Sequence, residues 1–273
     1  MNSLTIAWAT AKEATRQPAF FVLLFLGTMF LLISVFLPYF TLGEDIKMYK
    51  DAGLTAISVA ALLLALLTSS SAVAEEIEGK TAVTVLSKPI NRRQFIVGKF
   101  VGIELATLAL FLLLGVVFVA GVYFKYAYDL RESAGGVAEW AQRRDQMKQV
   151  LPGLVLGFFE VTVLTSISVA ISTRLPMLVN LVVCLAIFFL GHLTPIMVRA
   201  TESYQANELV KFMARLFASL LPQLEFFNAG PSIATGAMIP WAGYVLWALA
   251  YCVMYSGAAL LFAFLLFENR DVA

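Results

Sequence analysis

The sequence predicts an all-α polytopic membrane protein with six transmembrane helices, and two observations carry that prediction. Of the 273 residues, 60% are hydrophobic and 14% are charged, whereas about 25% of the residues in a soluble globular domain are charged. The apolar residues are also concentrated in six runs, at 20–40, 53–74, 95–124, 151–173, 177–198 and 240–267. Each run can cross a hydrocarbon core, which takes about 20 helical residues.

Helices are preferred to a β-barrel because each run is continuously apolar rather than alternating. We expect one membrane domain over 1–273. The first run is too long for the apolar core of a cleaved signal, and no strongly basic segment precedes it, so we expect it to be a span. Cys184 and Cys252 lie inside apolar runs and are interpreted as small hydrophobic residues rather than as a disulfide or metal pair.

Two segments outside the six runs also have helical patterns. Before the first run, "TIAWATAKEATRQ" predicts a short helix at the membrane interface, which ends before Pro18. Between the fifth and sixth runs, Leu209, Phe212 and Leu216 recur at helical spacing and predict a helix within about 205–222, which Pro222 ends. A surface helix and a re-entrant hairpin fit this second pattern equally well.

The distribution of basic residues does not assign the two sides of the membrane. The 19 lysines and arginines divide almost evenly between the connectors on one side and those on the other. The positive-inside rule therefore gives no orientation. An even number of spans places both termini on the same side.

The sequence contains no recognisable catalytic or metal-binding motif. His192 is the single histidine, so an H-E-x-x-H zinc site is excluded, and no G-x-S-x-G elbow is found. Gly79-Lys80-Thr81 comes nearest to a phosphate loop, but Ala74 stands where the first glycine would be needed. We therefore expect a chain that has no catalytic residues, no metal and no cofactor of its own.

Two carboxylates lie inside predicted spans, Glu104 in the third and Glu160 in the fourth. An acid in hydrocarbon is costly and tends to face protein or water, so we expect both side chains to point inward. Two interpretations stay open. Either carboxylate could line a substrate path or hold a proton, or it could be packed against neighbouring hydroxyl groups such as those of Thr162 and Thr165.

The connector after the second run, at 75–94, is the most charge-dense part of the chain. It begins with the acids of "EEIEG", continues with the small apolar face of "KTAVTVL" and is broken at Pro89. Arg92, Arg93 and Lys99 follow, spaced to meet lipid headgroups where the third span begins. This order predicts a short amphipathic helix on the aqueous side, followed by a sharp bend.

The stretch "AEEIEGKTAVTVLSKPINRRQFIVGKFVG" resembles a segment of ABC-2 type transporter permeases, which reads approximately E-x-x-x-G-[ST], then L-[LS]-x-P-[IV]-x-R, then G-K-h-h-G. The matching positions are Glu75, Gly79, Leu86, Ser87, Pro89, Ile90, Arg92, Gly98, Lys99 and Gly102. Lys80 departs from the usual Ser or Thr, and Thr81 follows one place later. The six runs, "LLPQLEFFN" and the "ENRD" tail are similar to the branch that includes the permease for nitrous-oxide-reductase maturation.

This resemblance implies a permease that pairs with a separate nucleotide-binding ATPase subunit, which would bind ATP and Mg²⁺. It implies a location in the inner (cytoplasmic) membrane with both termini and the 75–94 connector in the cytoplasm. A second copy, or a related half, would complete the transporter, and no nucleic-acid partner is expected. The residues that would contact the ATPase subunit are Glu75, Glu76, Glu78, Gly79, Lys80, Thr81, Val83, Leu86, Pro89, Arg92 and Arg93.

The permease that this resemblance implies is expected to be an exporter, and the sequence offers three alternatives to it. An ion-coupled secondary transporter could use Glu104 and Glu160, but neither span has a glycine- and proline-broken centre beside its carboxylate. A non-transporting membrane assembly factor is compatible with the same sequence. An intramembrane hydrolase is disfavoured because no nucleophile is paired with a base.

Overall fold

Six helices long and apolar enough to cross a membrane make up most of the computed structural model, which describes residues 3–37, 45–75, 92–134, 140–203 and 207–268. Every regular element within these ranges is helical. The helices are α1 (Ser3–Ala14), α2 (Pro18–Phe36), α3 (Asp45–Ser69), α4 (Arg92–Ala134), α5 (Trp140–Ser172), α6 (Met177–Ser203), α7 (Glu208–Leu220), α8 (Gly230–Thr235) and α9 (Leu246–Glu268). The predicted fold class is thus confirmed, with α2 to α6 and α9 as the six spans.

Two short π-helices and one 3₁₀ helix complete the described part of the chain. The π-helix Ser70–Glu75 continues α3, and the π-helix Trp241–Val245 leads into α9. The 3₁₀ turn Leu224–Phe227 lies between α7 and α8. A π-helical segment is rare and is often found at functional sites, so Ser70–Glu75 is of interest because it leads into the charged connector.

Helices α3, α4 and α5 form the centre of the bundle, and α2, α6 and α9 surround them. In their most apolar stretches, 50% of α3, 50% of α4 and 61% of α5 are buried, against 22% of α2 and 17% of both α6 and α9. Glycines let the central helices approach closely: Gly53 of α3 faces the Phe118 ring of α4, and Gly157 of α5 faces Ser58 of α3. Small residues at helix contacts are the usual packing solution in membranes.

Several spans extend beyond the apolar runs from which they were predicted. Helix α3 begins at Asp45 rather than at 53, and α4 and α5 fill most of the connector expected at 125–150. Buried partners explain the extensions. Lys50 is 2% exposed and donates to Gln146 and, at 2.7 Å, to Gln149 of α5, while Lys125 donates to the Leu37 carbonyl at 3.2 Å.

The N-terminal helix α1 packs along the first turns of α4. Its contact face contains Ile6, Ala7, Thr10 and Ala11, all buried, whereas Trp8 is 71% exposed. Gly98 of α4 faces Ile6, and Gly102 faces Ala7 and Thr10, so these glycines allow α1 to lie close to α4.

Helix α7 runs back along α6 instead of leaving the bundle. The chain that follows it returns to the middle of α6, where a Cβ on Gly191 would lie 3.0 Å from the Pro222 carbonyl oxygen. The apolar stripe of α7 is exposed, with Leu209 66% and Phe212 61% exposed, whereas Ala214 of the same helix is buried. The structure thus places this segment against α6, and the surface helix and the re-entrant hairpin both stay predictions.

Candidate functional site

The residues of the predicted ATPase contact fall largely outside the described part of the chain. Those that lie outside it are Glu76, Glu78, Gly79, Lys80, Thr81, Val83, Leu86 and Pro89. Glu75 is the last residue of the π-helix, and Arg92 and Arg93 open α4, where both are exposed. The structure therefore defines the two points at which the connector leaves and re-enters the bundle.

A buried polar network holds the first of these points. The Asn180 amide nitrogen of α6 lies 2.8 Å from the hydroxyls of Ser70, Ser168 and Ser172. Ser69 shares a hydrogen bond with Ser168, and all of these side chains are fully buried. The network connects the beginning of the π-helix to α5 and α6.

Two arginines hold the second point. The Arg92 guanidinium donates to the Phe267 carbonyl of α9 at 3.1 Å and lies 5.7 Å from the Phe267 ring. Arg174, in the turn between α5 and α6, donates to the Leu266 carbonyl at 2.8 Å. The last carbonyls of a helix have no partners within it and carry partial negative charge. The arginines supply those partners, and Arg92 thus connects the start of α4, and Arg174 the α5–α6 turn, to the end of α9.

The G-K-h-h-G part of the family motif forms the seat of α1. A Cβ on Gly98 would lie 2.8 Å from Ile6 Cβ, and one on Gly102 would lie 2.6 Å from the Ala7 carbonyl oxygen. Lys99 is 5% exposed, with its ammonium 5.6 Å from the centre of the Phe95 ring. The prediction that Lys99 meets the headgroups is wrong, because α1 covers this face of α4.

Glu104 is held between helices. Its Oε2 accepts a hydrogen bond from the Thr162 hydroxyl of α5 at 3.1 Å. Its Oε1 is buried without a hydrogen-bond partner among the described residues. The contact with Thr162 is the one expected if Glu104 is a packed residue. Glu104 is also absent from the lining of the polar cavity around Glu160.

Glu160 faces a small polar cavity between α3, α5, α6 and the segment after α7. The cavity has a volume of about 80 Å³, and its polar lining comprises Asp51, Thr55, Ser58, Glu160, His192 and Asn228. A volume of this size holds a few water molecules. Glu160 is 6% exposed, and its Oε1 lies 3.5 Å from His192 Nε2.

The segment after α7, which includes the 3₁₀ turn Leu224–Phe227, forms one wall of this cavity and is held by two tyrosines. Tyr244 donates to the Phe226 carbonyl at 2.7 Å, and the Tyr251 hydroxyl accepts from the Gln223 amide at 3.0 Å. Irregular backbone at membrane depth is tolerated where protein or a water-filled cavity satisfies it. The tyrosines and the Glu160 cavity together provide that environment.

Sequence reasoning missed Asn180 and the two capping contacts of Arg92 and Arg174. Asn180 was the detectable case, because it is the one amide in the fifth apolar run and polar side chains there are expected to bond across helices. The partners of Arg92 and Arg174 are backbone carbonyls of α9, which leave no signal in the sequence. His192 packs against Phe188 and also faces Glu160, a pairing that no motif in the sequence indicates.

Comparison with known proteins identifies the family. The model of the ABC-2 family transporter protein matches residues 4–272. No curated protein matches the chain significantly, so the narrower similarity to the nitrous-oxide-reductase maturation branch finds no support there. The chain therefore belongs to the ABC-2 family of transporter proteins, whose members are the membrane components of ABC transporters.

Proposed function

We propose that the chain is the permease subunit of an ABC exporter, and that a separate nucleotide-binding subunit binds ATP and Mg²⁺ and hydrolyses the ATP. Family membership supports the membrane role, and the lack of a phosphate loop in the sequence supports a separate ATPase. Two copies, or one copy with a related half, form the pathway. The narrower nitrous-oxide-reductase branch stays a prediction that rests on "LLPQLEFFN" and the "ENRD" tail.

The orientation follows from this proposal. The beginnings of α2 and α4, the end of α3, the α5–α6 turn and the end of α9 meet at one end of the bundle, as the contacts of Gln17, Asn180, Arg92 and Arg174 show. We place this end, with α1, the 75–94 connector and both termini, in the cytoplasm of a cell whose inner membrane holds the protein. The Glu160 cavity then lies toward the opposite side.

The observation that carries the proposal is the anchoring of the connector at both ends. A loop that served as a passive link would need no side-chain attachment to distant spans at either end. Here its first end is connected to α5 and α6 through Asn180, and its second end to α9 through Arg92. Closure of the ATPase subunits against 76–91 would therefore move five spans together, α3 and α4 at the ends of the connector and α5, α6 and α9 through these contacts, which is what coupling requires.

Charge reversal at Glu76 and Glu78 tests the contact. Glu76→Lys combined with Glu78→Lys is expected to reduce the amount of ATPase subunit that copurifies with the permease by about tenfold, because paired interface charges contribute several kcal/mol when matched and oppose binding when reversed. The measurement is the subunit ratio after affinity purification of the permease.

The matched control reverses two acids at the other end of the bundle. Asp145 and Glu208 are 52% and 90% exposed, so Asp145→Lys combined with Glu208→Lys makes the same change in net charge. This control is expected to retain the partner. Equal loss in both double variants would mean a general charge effect, and full retention in the Glu76 and Glu78 variant would contradict the docking proposal.

We further propose that Glu160 lines the water-accessible part of the pathway and that Glu104 is a packing residue. In a chain carrying Cys184→Ala and Cys252→Ala, Glu160→Cys is expected to react about tenfold faster with a small charged methanethiosulfonate than Glu104→Cys, because thiol reactivity requires access to water. Both positions lie about 18 Å from the proposed cytoplasmic end, so depth is matched. Equal rates would remove Glu160 from the pathway.

The buried Glu160 carboxylate and its contact with His192 also favour a second candidate, a transporter coupled to an ion gradient. Reconstitution of the permease with its ATPase subunit in vesicles separates the two functions. Transport that needs ATP and persists without a proton gradient supports the ABC exporter. Transport by the permease alone, driven by the gradient, would replace it.

A further inference from the structure

An apolar groove lies on the outer surface of the α4–α5 pair. It has a volume of about 520 Å³ and runs from Leu108 to Ala120 on α4 and from Met147 to Phe158 on α5. Gly115 forms part of its floor, where the nearest side-chain atom to an added Cβ would be Leu154 Cδ1 at 3.8 Å. Val116 on its rim is 70% exposed.

The length of the groove matches one leaflet of a bilayer. From Leu108 to Ala120 the helix rises about 18 Å, which is close to half of a hydrocarbon core of about 30 Å. A transmembrane helix of a second copy would need a contact surface across the whole core. A single acyl chain, which extends from the interface to the bilayer midplane, needs only this half.

The end of the groove away from the α5–α6 turn carries a cation. Tyr123 lies one turn beyond Ala120 on α4, and Arg143 lies one turn before Met147 on α5. The guanidinium carbon of Arg143 is 4.8 Å from the centre of the Tyr123 ring. Its Nε is buried without a hydrogen-bond acceptor, and no carboxylate within the described ranges forms an ion pair with it.

The same end has the composition of a membrane interface. The Trp140 ring lies 5.9 Å from the Tyr123 ring, and Trp and Tyr are enriched at the level of the headgroups. The Arg143 guanidinium is therefore placed at headgroup depth, at the end of a groove that can hold an alkyl chain. Arginine binds phosphate oxygens through its planar fork of N–H groups.

We propose that this groove is a binding site for an anionic phospholipid of the surrounding membrane. One acyl chain lies along α4 and α5 over Gly115, and the phosphate accepts hydrogen bonds from Arg143. The bound lipid would fill the recess between the two central helices. This proposal does not depend on the ATPase partner or on the direction of transport.

Native mass spectrometry of the purified protein with phosphatidylglycerol or phosphatidylcholine tests the site. The wild-type chain is expected to bind phosphatidylglycerol about fivefold more tightly, since one basic residue near a membrane surface contributes about 1 kcal/mol. Arg143→Gln is expected to abolish this preference. Arg144→Gln, at the neighbouring exposed base, is expected to leave it unchanged.

Filling the groove tests the acyl-chain half of the proposal. Gly115→Phe, and independently Val116→Trp at the exposed rim, are expected to lower occupancy by both lipids about fivefold or more. Gly257→Phe adds the same bulk on α9, where an added Cβ meets no atom within 4 Å, and is expected to have no effect.

Three results would overturn the site. The first is unchanged lipid occupancy in folded Gly115→Phe and Val116→Trp proteins, and the second is an equal loss of preference in Arg143→Gln and Arg144→Gln, which would indicate diffuse attraction. The third is a loss of dimer without a loss of lipid when the groove is filled, which would assign it to a second copy of the chain.

Discussion

Replacing Gly102 with valine is expected to destabilise the protein by about 3 kcal/mol, because overpacking a close contact typically costs about 1 to 3 kcal/mol and the clashing atom here is backbone. A Cβ at this position would lie 2.6 Å from the Ala7 carbonyl oxygen and 2.6 Å from Thr10 Cβ. Neither atom belongs to the flexible end of a side chain, so α1 must move away from α4. We expect the melting temperature to fall by roughly 5 to 10 °C.

Limited trypsin digestion measures the displacement of α1 directly. Cleavage after Lys12 should become faster in Gly102→Val, because the helix that contains this site no longer packs along α4. The control is Gly115→Val in the same helix, where the nearest neighbour of the new Cβ is 3.8 Å away. Equal melting temperatures and cleavage rates for the two variants would mean that α1 is not seated on Gly102.

Replacing Asn180 with leucine is expected to weaken both the packing of the π-helix and the coupling of ATP hydrolysis to transport. The side chains are similar in volume, but the variant loses the amide that lies 2.8 Å from three serine hydroxyls. An amide NH₂ group donates two hydrogen bonds, and hydrogen bonds between membrane helices contribute about 0.6 kcal/mol each on average, so the loss should be about 1 kcal/mol. We expect transport by the complex to fall by about fivefold while its ATPase activity changes by less than about twofold.

Thr194→Val in the same helix is the matched control for Asn180→Leu. Thr194 is also buried, at 4% exposure, but its hydroxyl bonds to the Leu190 carbonyl of its own helix. It should therefore lower neither the melting temperature nor transport appreciably. A parallel decline of transport and ATPase activity in Asn180→Leu would point to general unfolding, and no change in either would remove Asn180 from the coupling route.

The number and type of spans could be predicted because hydropathy is a local property of the sequence. The ends of α3, α4 and α5 could not, because polar residues there are stabilised by distant partners. Lys50 looks like a connector residue until it is placed beside Gln146 and Gln149, which are 96 and 99 positions away. The interpretation of Lys99 failed for the same reason, since only the fold shows that α1 covers it.

Part of the candidate site could likewise be predicted from the sequence, and part of it could not. The charged connector was recognisable from its residues, and Glu160 was correctly expected to point inward, because the energetic cost of an acid in hydrocarbon is evident from position alone. Its pairing with His192 was not foreseen, since the two residues are on different spans and share no motif. The roles of Arg92 and Arg174 depend on the end of α9. The apolar run at 240–267 locates this end but does not show that the two arginines lie beside it.

Helix α4 is a long helix that no proline interrupts. It contains 43 residues without a proline, so it measures about 64 Å, which exceeds a bilayer of about 40 to 45 Å with its headgroups. A tilt of about 5° at Arg92 would swing the far end by about 5 Å, as simple lever geometry requires for a rod of that length. A displacement of the Arg92 end of α4 on one side of the membrane would thus move the other end of the helix on the opposite side without a change in the conformation of the helix itself.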